Sequence, residues 1–235
     1  VTATGGGGFV FGATGFVGRE VVRQLAVRGT RAIAHVRPDS ARLDDWRRRF
    51  GDLGAEVDAT AWQADALGAR LAALAPAVIF ICIGTTRGRA KSDGVAGNIY
   101  EEIDLGLTKL AVAGAKASGG KPRLVYLSSV GADAKARGDY LRARGQAEDL
   151  VRASGLPWVI ARPSIITGEG RDDHRVGESL AGTVGDGVLA VAGLLGGKGL
   201  RDRYRSTTPD VLAAALIRLG EDPAADRVVD GAALR

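Results

Sequence analysis

The chain predicts an α/β fold with a doubly wound parallel sheet, and three observations predict it. Short, almost continuously apolar runs recur along its 235 residues. Amphipathic helical segments separate those runs, and strands buried on both faces read as unbroken apolar stretches. A glycine-spaced turn, G-x-x-G-x-x-G, joins the first run to the first helix.

Phe9–Gly12 is the first strand, and a helix then runs through Val17, Val21, Val22 and Leu25 to about Arg28. Arg31–Val36 is a second strand that stops at Arg37-Pro38, with a helix through Leu43–Phe50. Val57–Gln63 is expected as the third strand and Ala66–Leu74 as the helix after it. Val78–Ile83 is the fourth strand, and the polar loop Gly84–Gly97 leads to a long helix over Tyr100–Ala117. Pro122–Ser128, a helix over Tyr140–Ser154 and the strand Trp158–Ala161 complete the regular alternation. After Pro163 the pattern loosens. Pro209–Leu219 reads as a helix, Arg227–Val229 as a short strand, and the apolar run Val188–Leu195 as core, with a lid helix or oligomer contact as alternatives. The expected organisation is one domain over residues 1–235, in which 164–235 form a small lobe on the substrate side.

Composition narrows the functional classes. A hydrophobic fraction of 46% suffices for a buried core. The single cysteine, Cys82, sits inside the fourth apolar run, so it reads as a packed thiol and no disulfide framework is expected. His35 and His174 are far apart and no Cys/His spacing accompanies them, so no metal site is expected. No apolar stretch reaches the ~20 residues of a membrane span. With no secretory signal either, the expectation is a cytoplasmic protein. The formal charge of +5 is spread along the chain, and its densest run, Arg47-Arg48-Arg49, follows Asp44-Asp45 as a solvated helix face would. Nothing resembles a helix-turn-helix or a base-stacking sheet, so nucleic acid is not an expected partner. A basic cleft for a phosphorylated cofactor accounts for part of the charge.

The glycine turn carries the first functional signal. A Cβ in such a turn would block either the bend or the approach of a pyrophosphate, and the helix beyond it presents unpaired N–H groups. The dipole adds only about 0.3–1 kcal/mol, or ~2 when partly buried, so the glycines matter mainly for access. Gly12, Thr14, Gly15, Phe16, Val17 and Gly18 are therefore candidate cofactor-binding residues, with an ordinary glycine turn as the alternative. At the end of the second strand, Arg37 stands where an NAD-preferring site usually carries an acid. A guanidinium there can pair with a 2′-phosphate, which favours NADP(H) over NAD(H); a surface arginine is the alternative. Asp65 is placed either to accept from the adenine amino group or to cap the following helix.

A second constellation points to chemistry. Ser129 ends the fifth strand, Tyr140 follows eleven residues later, and Arg144 lies one helical turn beyond it. Carbonyl reduction uses a tyrosine as proton donor, a serine to polarise the carbonyl oxygen and a cation to hold the nicotinamide ribose and favour tyrosinate. An exposed Tyr/Arg pair with a helix-capping serine is the alternative.

Four segments carry a family likeness: Gly12-Ala13-Thr14-Gly15-Phe16-Val17-Gly18, Cys82-Ile83-Gly84-Thr85-Thr86-Arg87-Gly88, Leu127-Ser128-Ser129-Val130-Gly131-Ala132-Asp133 and Arg162-Pro163-Ser164. Through them the chain, to about Gly168, resembles the atypical short-chain dehydrogenases/reductases, and within these the Tat-interacting-protein oxidoreductases. The resemblance implies that Gly84 and Thr85 line the cofactor and that Pro163 flanks the nicotinamide. It also implies that Ser129, with Ser128 beside it, and Tyr140 are catalytic. Asp104 falls where many relatives carry asparagine. The family pattern is Y-x-x-x-K, whereas this chain reads Tyr140-Leu141-Arg142-Ala143-Arg144. Lowering a phenol pKa from ~10 to ~7 takes about 4 kcal/mol, which a unit charge at ~4 Å in an effective dielectric of ~20 supplies. Arginine keeps that charge, but it is bulkier and releases no proton.

The expected function is an NADP(H)-dependent oxidoreductase that passes hydride to or from a small carbonyl or alcohol, with cofactor binding intact and turnover weakened. The alternatives are a nucleotide-sensing binding protein and a sugar-nucleotide epimerase or dehydratase, the latter disfavoured by the short tail. Residues Gly168–Val176 are expected to border the substrate pocket, and a homodimer is compatible with the surface helices.

Overall fold

The structure, a computed structural model, describes residues 6–85, 98–164, 166–167 and 207–234. Strands β1 (Gly8–Phe11), β2 (Ala32–His35), β3 (Glu56–Asp58), β4 (Val78–Ile81), β5 (Arg123–Leu127), β6 (Trp158–Arg162) and β7 (Arg227–Asp230) form one sheet. All pairs are parallel, in the order β3-β2-β1-β4-β5-β6-β7. The order reverses between β1 and β4. In a doubly wound sheet that reversal opens a crevice at the carboxyl ends of the strands, where ligands bind. This is a Rossmann fold.

Alternate strand residues feed two cores, as the period of 2 requires. Val10, Phe80, Val125 and Val159 face α1 (Phe16–Val27), α2 (Leu43–Gly51) and α6 (Pro209–Glu221). Phe9, Phe11, Ile79, Ile81 and Tyr126 face α3 (Ala64–Leu74), α4 (Gly106–Ala117) and α5 (Asp139–Arg152). Helix α1 buries Val17, Val21, Val22 and Leu25, the stripe read from the sequence. It ends where Gly29 takes φ +70° and the Thr30 and Gly29 amides bond back to the Leu25 and Ala26 carbonyls, a Schellman stop. On α2, Trp46 and Phe50 are buried, while Arg42 and Arg49 lie over the Trp46 ring and pair with Asp45. The arginine run is the solvated face that its spacing implies.

Three expectations change. The third strand spans Glu56–Asp58 rather than Val57–Gln63, because the Asp58 carboxylate accepts the Thr60 N–H at 3.0 Å and turns the chain out of the sheet. The helix before residue 117 opens as a π-helical turn over Tyr100–Leu105 and becomes α-helical at Gly106. The tail contributes to the main layers: α6 packs on α1, and β7 extends the sheet beside β6. Residues 168–206, which hold Val188–Leu195 and most of the expected small lobe, lie outside the described residues.

Candidate functional site

The glycine turn lies at the carboxyl end of β1, against the end of β4. Gly12 has φ +74°, and a Cβ on it would sit 2.5 Å from the Cys82 carbonyl oxygen and 2.9 Å from the Ile83 nitrogen. A Cβ on Gly18 would sit 2.2 Å from the Gly12 carbonyl oxygen. Gly12 therefore lets β1 turn against β4, and Gly18 lets α1 rest on that turn. Gly15 is different. Its Cβ would meet the Gly12 oxygen at 3.1 Å, and its amide donates to that same oxygen at 2.9 Å. It is the N-cap of α1, with no side-chain cap, and the first turn of the helix carries no acidic residue. This end suits a pyrophosphate: no first-turn carboxylate competes, and no Cβ stands at Gly15. Thr14 and Phe16 are half-buried, while Val17 belongs to the core, so only its backbone can serve a ligand.

Arg37 follows the end of β2, exposed, with its Nε 3.8 Å from the Asp39 carboxylate. Asp65 is not a helix cap: Gln63 is the N-cap of α3, and Asp65 is an exposed residue in its first turn. The end of β3 belongs to the buried Asp58, whose carboxylate accepts from Arg70 and Thr60. Composition gave no sign of the ring cluster beneath it, where Phe11, His35 and Trp62 meet with centroids 4.7–5.2 Å apart. Burial lowers the His35 pKa, and its Nε2 lies 2.8 Å from the Thr60 carbonyl.

Tyr140 and Arg144 meet near the carboxyl end of β5, the strand that Ser128 and Ser129 follow. Ser129 is 7% exposed, and its hydroxyl donates to the Val130 carbonyl at 3.3 Å. Tyr140 opens α5, half-buried, edge-on to Tyr100 with ring centroids 5.3 Å apart. Arg144 reaches the same place from below, its guanidinium 5.4 Å from the Tyr140 ring centroid. The i, i+4 spacing brings the two together.

The direction of Arg144 differs from the expectation that it holds a ribose. The residue is 5% exposed and turns inward. Its Nη1 donates to the Leu127 carbonyl at 2.9 Å and to the Tyr126 hydroxyl at 3.3 Å, and its Nη2 lies 3.6 Å from Asp104 Oδ2. Gly84 makes the room, since a Cβ there would be 2.8 Å from Arg144 Nη2. Thr85 is fastened to the same group, its amide donating to Asp104 Oδ1 at 2.9 Å. Burial pushes the Asp104 carboxyl up to about 6, against the pull of Arg144 and the Thr85 amide. Burial also pushes the Tyr126 phenol and the Cys82 thiol up to about 12, which leaves Cys82 an inert packed side chain.

Ser128 faces away from Ser129 and into a buried network absent from the sequence reading. Its hydroxyl donates to Glu148 Oε1 at 2.6 Å, and Glu148 also accepts from Arg162 and Arg152 at 2.6–2.8 Å. Arg162 Nη2 donates in addition to the Ala132 carbonyl. The i, i+4 spacing of Glu148 and Arg152 is the one sequence signal for it. Pro163 is buried, and its carbonyl accepts the Val130 amide at 2.9 Å, fixing the end of β6 beside Ser129. Thr86–Gly88 and Gly168–Val176, with His174, lie outside the described residues.

Comparison with known proteins fits the turn. Residues 12–190 match the model of a family described as NAD(P)H-binding. The chain belongs to that family. It is 31% identical over 181 residues to "Protein FMP52, mitochondrial" of Candida albicans, covering 76% of this chain and 75% of the relative. It is 31% identical over 166 residues to NADH dehydrogenase [ubiquinone] 1 alpha subcomplex subunit 9, mitochondrial, of Mus musculus, covering 70% of this chain and 41% of that one. Among solved structures, the anaerobillin reductase ChuY of Escherichia coli O157:H7 superposes with a TM-score of 0.63 over 94% of each chain. At 18% identity that likeness shows the fold alone.

These relatives correct the cytoplasmic expectation, since both are named mitochondrial. That expectation rested on the lack of a secretory signal and of a membrane span, and neither bears on import into an organelle. Among the described residues no helix is long and apolar enough to cross a membrane, and no three His, Cys, Asp or Glu side chains gather as a metal site would need.

Proposed function

We propose that this NAD(P)H-binding chain is an NADP(H)-preferring oxidoreductase of the atypical short-chain dehydrogenase/reductase type, acting on a small carbonyl or alcohol. One observation carries the reading: Ser129 and Tyr140 stand at the carboxyl end of the same parallel sheet whose glycine turn fits a pyrophosphate. The amides of Phe16 and Val17 would hold the phosphates, with Thr14, Gly15 and Gly18 shaping the turn. Arg37 would pair with a 2′-phosphate once released from Asp39. Thr85 and Pro163 would border the nicotinamide side, with Gly84 serving through the room it gives Arg144; Asp65 would border the adenine side, and the part of 164–235 outside α6 and β7 the substrate.

The bound nicotinamide supplies or accepts the hydride. Tyr140 donates or takes the proton at the substrate oxygen, and Ser129 gives that oxygen a hydrogen bond in exchange for its long bond to Val130. Arg144 sets its charge beside the Tyr140 ring, while its hydrogen bonds go to Leu127 and Tyr126.

Titration with NADPH and NADH, together with turnover on a panel of carbonyls, tests this. Wild type should bind NADPH more tightly, Arg37→Ala should weaken NADPH far more than NADH, and Tyr140→Phe should abolish turnover while leaving binding intact. Equal losses for the two cofactors sink the NADP preference, and unchanged turnover in Tyr140→Phe sinks the catalytic assignment. A second reading, a dinucleotide-binding protein without turnover, draws on the inward set of Arg144 and on the relative named as a subunit of NADH dehydrogenase. Tight NADPH binding with no wild-type turnover on the panel selects it.

A further inference from the structure

Beneath the proposed site lies an ion pair that is buried but incompletely bonded. Asp104 is 1% exposed and Arg144 is 5% exposed. Asp104 Oδ1 takes the Thr85 amide, while Oδ2 has no hydrogen bond and faces Arg144 Nη2 at 3.6 Å. Arg144 Nε also has none. Buried polar groups are nearly always satisfied, so two orphans on one pair mark a place built to change. The backbone agrees: Asp104 sits on the π-helical turn Tyr100–Leu105, a distortion that recurs at functional sites.

Arg144 reaches Tyr140 directly, and the turn that carries Asp104 reaches it through Tyr100. Arg144 lies under its ring at 5.4 Å, and Tyr100, on the same turn as Asp104, packs edge-on against it. The geometry points to Asp104 as a positioning residue: by holding Thr85 at the end of β4 and Arg144 on α5, it sets how much of the arginine charge Tyr140 feels. This rests on Tyr140 being the proton-transferring group.

Opposite charges this close largely cancel at the ring, so an ionised Asp104 screens the cation and a protonated one exposes it. Burial places that exchange at about pH 6. Among the described residues, the other groups facing the pair are few. From β5 comes the Tyr126 phenol, from the end of β4 the buried Cys82 thiol, and from α5 Tyr140 itself. The turn adds Glu101 and Glu102, both exposed, and α4 adds the Thr108 hydroxyl, which donates to the Asp104 carbonyl at 2.6 Å. With the Tyr126 phenol and the thiol up at about 12, neither titrates near pH 6.

The test is [13Cζ]tyrosine NMR of the whole chain without cofactor, with the Tyr140 resonance assigned from Tyr140→Phe. In wild type that resonance should show an inflection near pH 6, and in Asp104→Asn the inflection should be lost. Asparagine keeps an oxygen to accept from Thr85, while it removes the charge and puts an NH2 in place of Oδ2. The neutral pair Asp104→Asn/Arg144→Gln is the second variant, because it leaves no uncompensated buried ion should the single change unfold the chain. It too should lose the inflection. A wild-type resonance without one, or an inflection that survives in either variant, overturns the inference. A separate NADPH titration keeps the readings distinct: an intact inflection without NADPH binding would overturn the dinucleotide reading alone.

Discussion

Replacing Gly18 with alanine asks whether the glycine turn cradles a dinucleotide or merely reverses the chain. The new Cβ would lie 2.2 Å from the Gly12 carbonyl oxygen, 2.8 Å from its carbon and 3.0 Å from the Ala13 Cα. All three are backbone atoms, so nothing can swing aside. Since Cβ contacts essentially never fall below 3.0 Å, α1 must withdraw by the difference from 2.2 Å, about 0.8 Å. Overpacking of this kind costs roughly 1–3 kcal/mol. Alanine returns up to about 1 kcal/mol in helix propensity, which leaves roughly 0–2 kcal/mol net. At about 2–4 °C per kcal/mol for a chain of this size, the melting temperature should fall by no more than about 8 °C. Binding should suffer more. A phosphate bond of ~2.9 Å stretched by that withdrawal to ~3.7 Å is no longer a hydrogen bond. Losing one charge-assisted bond, about 1.5–3 kcal/mol, weakens NADPH by roughly 10- to 150-fold. Calorimetric titration with NADPH beside thermal melting separates the two effects. NADPH affinity within threefold of wild type, with the melting temperature lowered as expected, would refute the cradle and leave only a turn.

Other perturbations probe the rest of the site. Glu148→Gln leaves Arg152 and Arg162 facing a neutral amide; a broken buried pair costs about 3–5 kcal/mol, and the part-exposed arginines set the low end, near 3. Its melting temperature should be about 6–12 °C lower at pH 7. Burial acts to raise the Glu148 pKa, but Arg162 and Ser128 prevail and hold it below the ordinary 4.5. The stabilisation is thus complete above about pH 4.5 and lost as pH falls through the lower folded-state value, so the gap between variant and wild type should close in acid. A gap that is the same at pH 7 and at low pH would contradict this. Arg144→Lys replaces the broad planar guanidinium with a compact, mobile ammonium; turnover on the carbonyl panel should rise about tenfold with NADPH affinity unchanged, and no gain means that the arginine is not limiting. In Gly84→Ala the Cβ lands 2.8 Å from Arg144 Nη2, so stability should fall by about 1–3 kcal/mol with little change in NADPH affinity. A loss of binding larger than the loss of stability would return Gly84 to the cofactor wall.

What the sequence made legible follows from how each feature is enforced. The strands around the switch point are buried on both faces, so Phe9–Phe11 and Val78–Ile81 could not be other than apolar runs. Gly12 and Gly18 are each dictated by a backbone contact, which turns geometry into spacing. The edge strand β3 was misplaced because exposed Glu56 breaks the apolar signal and a side-chain turn at Asp58 ends it. Tyr140 and Arg144 were paired correctly because helical periodicity is local. The inward turn of Arg144 was not legible, since its partners Asp104 and Leu127 come from other elements and its room depends on a side chain that Gly84 lacks. For the same reason half of the Glu148 network, Glu148 with Arg152, was open to reading and the half through Arg162 was not.

These contacts converge on the segment that leaves β4. On one side of it, the missing Cβ of Gly12 lets the glycine turn press against the Cys82 carbonyl and the Ile83 amide. On the other, the missing Cβ of Gly84 admits the Arg144 guanidinium, and Thr85 is tied to Asp104. Four consecutive residues, Cys82 to Thr85, therefore have the glycine turn on one flank and the ion pair beneath Tyr140 on the other. The glycine side is close-packed, since a Cβ on Gly12 would already fall 2.5 Å from the Cys82 carbonyl oxygen. The proposed dinucleotide turn and the proposed governor of Tyr140 thus share one short strand end, and a coupling between them would show as a shift of the Tyr140 resonance on NADPH addition.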